Sequence, residues 1–200
     1  MSTFNVEVTG PLSPQLRLFT IYEDSEAGVT AAWLVDEIRR YIRNRCVLLQ
    51  ELWKLDLIAG FVRFREITLE DAAEADVVLL SLRSLEQPVP SVCSWLESLK
   101  SQRAHRSTPG LLLAVLGTEE EEERVAESPL MNCLQQFSRS ARLEFAWAPG
   151  DAYRLRDSAW LDRKLDSVVQ HRLSPPSVPD LFDTHEREEI DYDFEWVALP

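Results

Sequence analysis

The residues best suited to chemistry lie together in Glu23-Asp24-Ser25-Glu26-Ala27-Gly28-Val29-Thr30. Ser25 and Thr30 supply hydroxyls, Gly28 permits close approach of backbone to a ligand, and a turn opening into a helix amino terminus presents amides to an anion. Phosphate binding is the chemistry such a turn suits. The acids around it work in the other direction. Two like charges about 5 Å apart at an effective dielectric of about 20 repel by roughly 3 kcal/mol, so Glu26 has to point outward for a dianionic phosphate to bind. A plain turn in which Asp24 or Ser25 caps the helix explains the same residues without a ligand. Glu119 to Glu123 form a second acidic run, which is expected as a solvated loop or an exposed helix start because adjacent carboxylates cannot be buried without neutralisation. His105, His171 and His185 fall in polar or terminal stretches and read as surface or capping residues. Neither a Gly-x-Ser-x-Gly elbow nor a Ser-His-Asp spacing accompanies them.

The elements that must position this turn follow from periodicity. Leu16 to Tyr22 is apolar on both faces and rich in β-favouring residues, as a buried strand requires. Ala27, Ala31, Leu34, Val35, Ile38 and Ile42 then recur at intervals of three and four, which predicts an amphipathic helix. A second strand is expected from Cys46 to Leu49, extending as far as Leu55. Residues 56 to 66 show no clean period and read as a connector folded onto the core. Thr68-Leu69-Glu70-Asp71 resembles a capping box and predicts a short helix through Ala75. Val77 to Leu82 is the clearest central strand. Pro88 and Pro90 introduce a helix with Val92, Trp95, Leu96 and Leu99 on one face, and Gly110 to Gly117 gives a fourth strand. A helix led by Ser128-Pro129, a fifth strand over Arg142 to Trp147 and a last helix over Ala159 to Val169 complete the alternation.

Composition sets the outer limits. Two hundred residues with 45% hydrophobic content and six tryptophans suffice for one large core without metals. A formal charge of −13 opposes binding to a phosphate backbone, so nucleic acid is not an expected partner. Cys46, Cys93 and Cys133 are widely spaced and odd in number, which suggests neither a zinc site nor a disulfide framework. Thiols in a reducing cytosol are the expectation. No apolar run approaches membrane-spanning length and no signal-like start is present, which points to a cytoplasmic protein.

Two blocks resemble the flavodoxin family. Tyr22, Ser25, Ala27, Gly28, Val29 and Thr30 occupy the positions of that family's strand-end Tyr and Ser/Thr-x-Thr-Gly-Asn-Thr phosphate loop. The block from Ala75-Asp76 through Val77 to Ser81, then Pro90 to Leu96, is similar to its Ala-Asp, apolar strand and helix start. Gly117-Thr118 matches the turn ending its fourth strand. The resemblance implies a three-layer α/β fold with a five-stranded parallel sheet in the order 2-1-3-4-5. It also implies flavin mononucleotide, FMN, with Ser25, Gly28 and Thr30 around the phosphate and Gly117 and Thr118 near the ring system. Ala27 and Val29 lack the family's polar side chains, and Arg83-Ser84-Leu85-Glu86-Gln87 replaces its aromatic loop. In that topology Glu23, Asp24 and Glu26 share a rim with Glu119 to Glu123, a surface suited to a hard cation or a basic partner; with no fixed ligand spacing, solvated acidity is the expectation and no metal is assigned. A phosphorylated receiver domain also has five strands, but strand three here ends at Ser81-Leu82-Arg83 and Ala148-Pro149-Gly150-Asp151-Ala152 supplies no Lys after strand five.

The expected organisation is a lead-in over residues 1–13, the α/β domain over 14–172, and a Pro-rich linker with an acidic-aromatic tail over 173–200. In the tail Ile190, Tyr192, Phe194 and Trp196 alternate with Asp191, Asp193 and Glu195, the period of a strand with one apolar and one charged face. These four apolar residues are the candidate partner-binding or self-association surface. The functional expectation is a non-catalytic interaction or regulatory protein without a cofactor. An FMN-binding electron carrier or small oxidoreductase is the alternative.

Overall fold

The computed structural model describes residues 14–85, 89–104, 106, 108, 110–150 and 158–174. The lead-in and the aromatic tail therefore lie outside the described residues, as do His105 and His185. Along the chain run β1 (Gln15–Tyr22), α1 (Ser25–Ile42), β2 (Val47–Lys54), α2 (Leu55–Gly60), α3 (Val62–Glu74), β3 (Val77–Leu82) and α4 (Val89–Arg103). After these come β4 (Gly110–Leu116), a 3-10 turn (Glu119–Glu121), α5 (Glu122–Ala126), α6 (Pro129–Ser140), β5 (Leu143–Pro149) and α7 (Ser158–Leu173). The strands are all parallel and ordered β2-β1-β3-β4-β5. This is the flavodoxin-like topology, with helices on both faces of the sheet.

Alternation along each strand divides the core. Phe19, Ile21, Val78, Leu80, Leu112 and Ala114 face the layer containing α3, α4 and α6. Leu16, Leu18, Val77, Leu79, Leu111, Leu113 and Val115 face α1 and α7. Every residue of β3 and β4 is buried, which is why these strands lack a polar period. Ala27, Ala31, Leu34, Val35, Ile38 and Ile42 form the buried stripe of α1. On the other face the rings of Phe19 and Trp95 stack with centroids 5.8 Å apart. Trp95 Nε1 donates to Thr68 Oγ1 at 3.3 Å, giving the buried indole a polar partner.

Three expectations are corrected. The connector after β2 is helical, as α2 and the first turns of α3. Thr68 lies inside α3 and donates to the Arg65 carbonyl at 3.0 Å instead of capping a helix start. Cys93 and Cys133 are joined in a disulfide, with Cα atoms 6.2 Å apart, while Cys46 is free and buried. Packing of α4 beside α6 brings those two cysteines together, a contact that linear spacing does not reveal.

At the amino edge of the sheet, Asp76 is 1% exposed and acts as a hub. Its Oδ2 accepts the Arg17 amide at 2.9 Å. Its Oδ1 accepts Arg106 Nη2 at 2.6 Å and Arg172 Nε at 3.0 Å. Arg103, equally buried, donates to the carbonyls of Ala72 at 3.0 Å and Ala75 at 2.8 Å, closing the carboxyl end of α3. Desolvation, with the charge of Arg106 behind it, pushes the Arg103 guanidinium down to about 10.

Candidate functional site

Parallel strands deliver their following loops to one edge of the sheet, and in this topology the β1, β3 and β4 loops meet there. Between them opens a cleft of about 280 Å³. Thr30, Gly117 and Thr118 line it, together with Glu26, Ser81, Arg83 and Gly150. Ser25 and Gly28 belong to the same turn but do not line the cleft. Ser25 is the exposed first residue of α1. A Cβ at Gly28 would meet the Tyr22 ring at 3.1 Å, so glycine at this position keeps α1 close to the end of β1.

Each loop is closed by a carboxylate of the protein itself. Asp24, rather than Ser25, caps α1: its Oδ1 accepts the Ala27 amide at 2.8 Å, and its carbonyl accepts the Gly28 amide at 2.8 Å. Glu23 Oε2 accepts the amides of Arg83 at 2.7 Å and Ser84 at 2.8 Å, tying the β1 turn to the β3 loop. Glu121 Oε2 accepts both the amide and the hydroxyl of Thr118 at 3.3 Å. Glu26 forms an ion pair with Arg83 at the cleft. Thr30 turns its hydroxyl back to the Glu26 carbonyl at 3.3 Å, and buried Ser81 donates to the Ala27 carbonyl at 2.8 Å.

Backbone geometry completes the rim. Gly117 has φ of +57°, a left-handed conformation that glycine adopts without steric cost. Its amide donates to the Leu82 carbonyl at 2.9 Å, and its own carbonyl accepts the Gly150 amide at 2.9 Å. A side chain at Gly150 would collide with that carbonyl. The strand ends are thereby held edge to edge.

Around the turn that the resemblance assigns to the FMN phosphate, donors are engaged within the chain. The Ala27 and Gly28 amides, the β3-loop amides and the Thr118 donors already face oxygens of the chain, and Glu26 lines the cleft where a dianion would have to approach. Ser81, Arg83 and Gly150 were not singled out from the sequence as site residues, and Glu23 was read only as part of an acidic rim. Ser81, the one polar residue in β3 and next to its last position, is a signal that could have found the cleft. The acid run becomes the 3-10 turn and α5, with Glu121 reaching back to Thr118. Among the described residues no group of three or more His, Cys, Asp or Glu side chains is placed to hold a metal ion. Nor is any described helix long and apolar enough to cross a membrane.

No family model and no curated protein sequence matches this chain. Among solved structures it is similar to Smu.1420 from Streptococcus mutans UA159, at 8% identity and a TM-score of 0.41, over 79% of this chain and 99% of that one.

Proposed function

We infer that this chain is a non-catalytic interaction or regulatory protein built on a flavodoxin-like scaffold. The observation that carries this reading is the internal closure of the cleft: Asp24, Glu23 and Glu121 each occupy amide donors that an anionic cofactor would need. A scaffold that keeps its core and closes its phosphate loop with carboxylates retains surfaces for recognition and loses the means to hold a flavin nucleotide. The acidic balance favours a basic protein surface as the partner class. A cytoplasmic setting is proposed with it, one in which the Cys93–Cys133 disulfide would be exposed to reduction.

The competing reading is an FMN-binding electron carrier or small oxidoreductase, using Thr30, Gly117 and Thr118 where they line the cleft. Titration of FMN with the purified chain separates the two. The expected result is unquenched flavin fluorescence with tens of micromolar protein and a visible spectrum without flavin bands. Saturable quenching at those concentrations, or yellow protein as purified, overturns the non-catalytic reading.

A further inference from the structure

β2 is one of the two edge strands of the sheet, the other being β5. It pairs with β1 on one side, and no described strand covers the other. Parallel strand edges are normally covered, because an unpaired row of amides and carbonyls recruits further strands. The side chains of this edge do not discourage pairing: Val47, Leu49 and Leu52 are 48%, 40% and 49% exposed.

The two faces of β2 differ in character. Register with β1 places Val47, Leu49, Glu51 and Trp53 on the side of Phe19 and α3, and Leu48, Gln50 and Leu52 on the side of α1. On the first side Trp53 continues into Phe64 and Phe61, with ring centroids 5.8 and 5.5 Å apart, and Glu51 is the one charged residue of the strand there. On the second side Arg39, ion-paired with Asp36 on the same helix, reaches from α1 to Gln50 at 2.6 Å, and exposed Arg43 follows one turn later. An added strand that fits this edge is apolar and aromatic on one face and acidic on the other.

The chain contains such a segment. Ile190, Tyr192, Phe194 and Trp196 would meet the aromatic side, and Asp191, Asp193 and Glu195 the arginine side. We propose that residues 190–196 pair in parallel with the outer edge of β2 in the same chain, as a sixth strand that extends the sheet order to 6-2-1-3-4-5.

Topology supports the occupant. Arg172, near the end of α7, is bonded to Asp76, which also holds the amide of Arg17 at the start of β1. The first amide of β2, that of Val47, is bonded to the Pro14 carbonyl at that same edge. The chain therefore leaves α7 where a strand parallel to β2 has to begin. Residues 175–189 span about 50 Å when extended, at about 3.3 Å per residue, against about 15 Å for three strand spacings. Handedness agrees as well. β1-α1-β2 moves toward this edge with its helix in the α1 layer, and β5-α7-tail would move in the same direction with α7 in that same layer. Both crossovers then have the right-handed sense that parallel connections adopt. This proposal is independent of whether the cleft binds a cofactor.

Amide exchange read by mass spectrometry on the full chain tests it, with light scattering on the same samples. The expected result is a monomer in which peptides covering 47–54 and 190–196 are both protected. In full-length Tyr192→Ser/Phe194→Ser, which leaves the folded body untouched, residues 190–196 and the β2 amides that point away from β1 should exchange at least about tenfold faster, while the β2 amides bonded to β1 stay protected. Arg39→Glu/Arg43→Glu tests the charged side and should also speed exchange at 190–196. Rapid exchange of 190–196 in the unaltered chain overturns the proposal. So does protection of the outward β2 amides, those not bonded to β1, that survives the tail substitutions, which indicates another cover for the edge. Protection that appears only with a dimer assigns the strand to a second copy and overturns pairing within one chain.

Discussion

Glu26, in the first turn of α1, and Arg83, directly after β3, are ion-paired at the mouth of the cleft with 73% and 45% of their side chains exposed. Charge pairs at that exposure are screened by water and contribute little to stability. Glu26→Gln is expected to change the unfolding free energy by less than about 1 kcal/mol in urea titration. A loss above about 2 kcal/mol would show that the pair is structural rather than a surface feature of the cleft.

Asp76 makes the opposite case. Its carboxylate is buried and faces Arg106 and Arg172, so Asp76→Ala leaves buried positive charge without compensation. A loss of about 3–5 kcal/mol is expected in the same titration. Arg172→Ala should cost less, because that side chain is already 31% exposed.

The Cys93–Cys133 disulfide links α4 to α6 across a sequence separation of 40. Closing a loop of that length restricts the unfolded chain by about 4 kcal/mol in the chain-entropy account. Cys93→Ser or reduction is expected to lower stability by about 2–4 kcal/mol, read from denaturant midpoints. Thiol titration of the denatured, unreduced protein should find Cys46 alone. Three reactive thiols would instead restore the reduced state expected from the linear spacing.

Glu51 connects stability to pH. Partial desolvation on the sheet, then the hydrogen bond and negative charge of Asp71, raise its carboxyl above the ordinary glutamate value. As pH rises through the range from that ordinary value, about 4.3, to the raised one, the folded chain holds a proton that the unfolded chain has lost. Stability contributed by this group is therefore present below that window and declines across it. Asp71→Asn removes the repelling charge and should flatten the decline. Urea midpoints collected across the mildly acidic range check it, and an unchanged slope would exclude the Glu51–Asp71 interaction as its source.

The strands were largely legible because burial leaves a direct trace in residue type, whereas their order followed from the flavodoxin-like resemblance of the blocks around Tyr22 to Thr30 and Ala75 to Ser81. Val77 to Leu82 is apolar with one Ser, and the stripe from Ala27 to Ile42 contains the residues that α1 buries. The region from Leu55 to Ile67 left no such trace. It covers the flank of the sheet, where Phe61 and Val62 remain exposed, so apolar residues do not mark an inward face. The location of the cleft was legible through Thr30, Gly117 and Thr118. Its closure was not, since Glu23 bonds amides about 60 residues away and Glu121 reads as one of five equivalent acids until the turn brings it back to Thr118.

The Asp76 hub also sets an order of events during synthesis. Arg17 and Arg106 are available soon after the midpoint of the chain has been made, but Arg172 lies 96 residues beyond Asp76. A nascent chain that has emerged only as far as β5 still lacks both this last counter-charge and the α7 residues Leu161, Leu165, Val168 and Val169, which cover one face of the central strands. One face of the sheet, begun by α1, is thus completed only when the last described helix has been made.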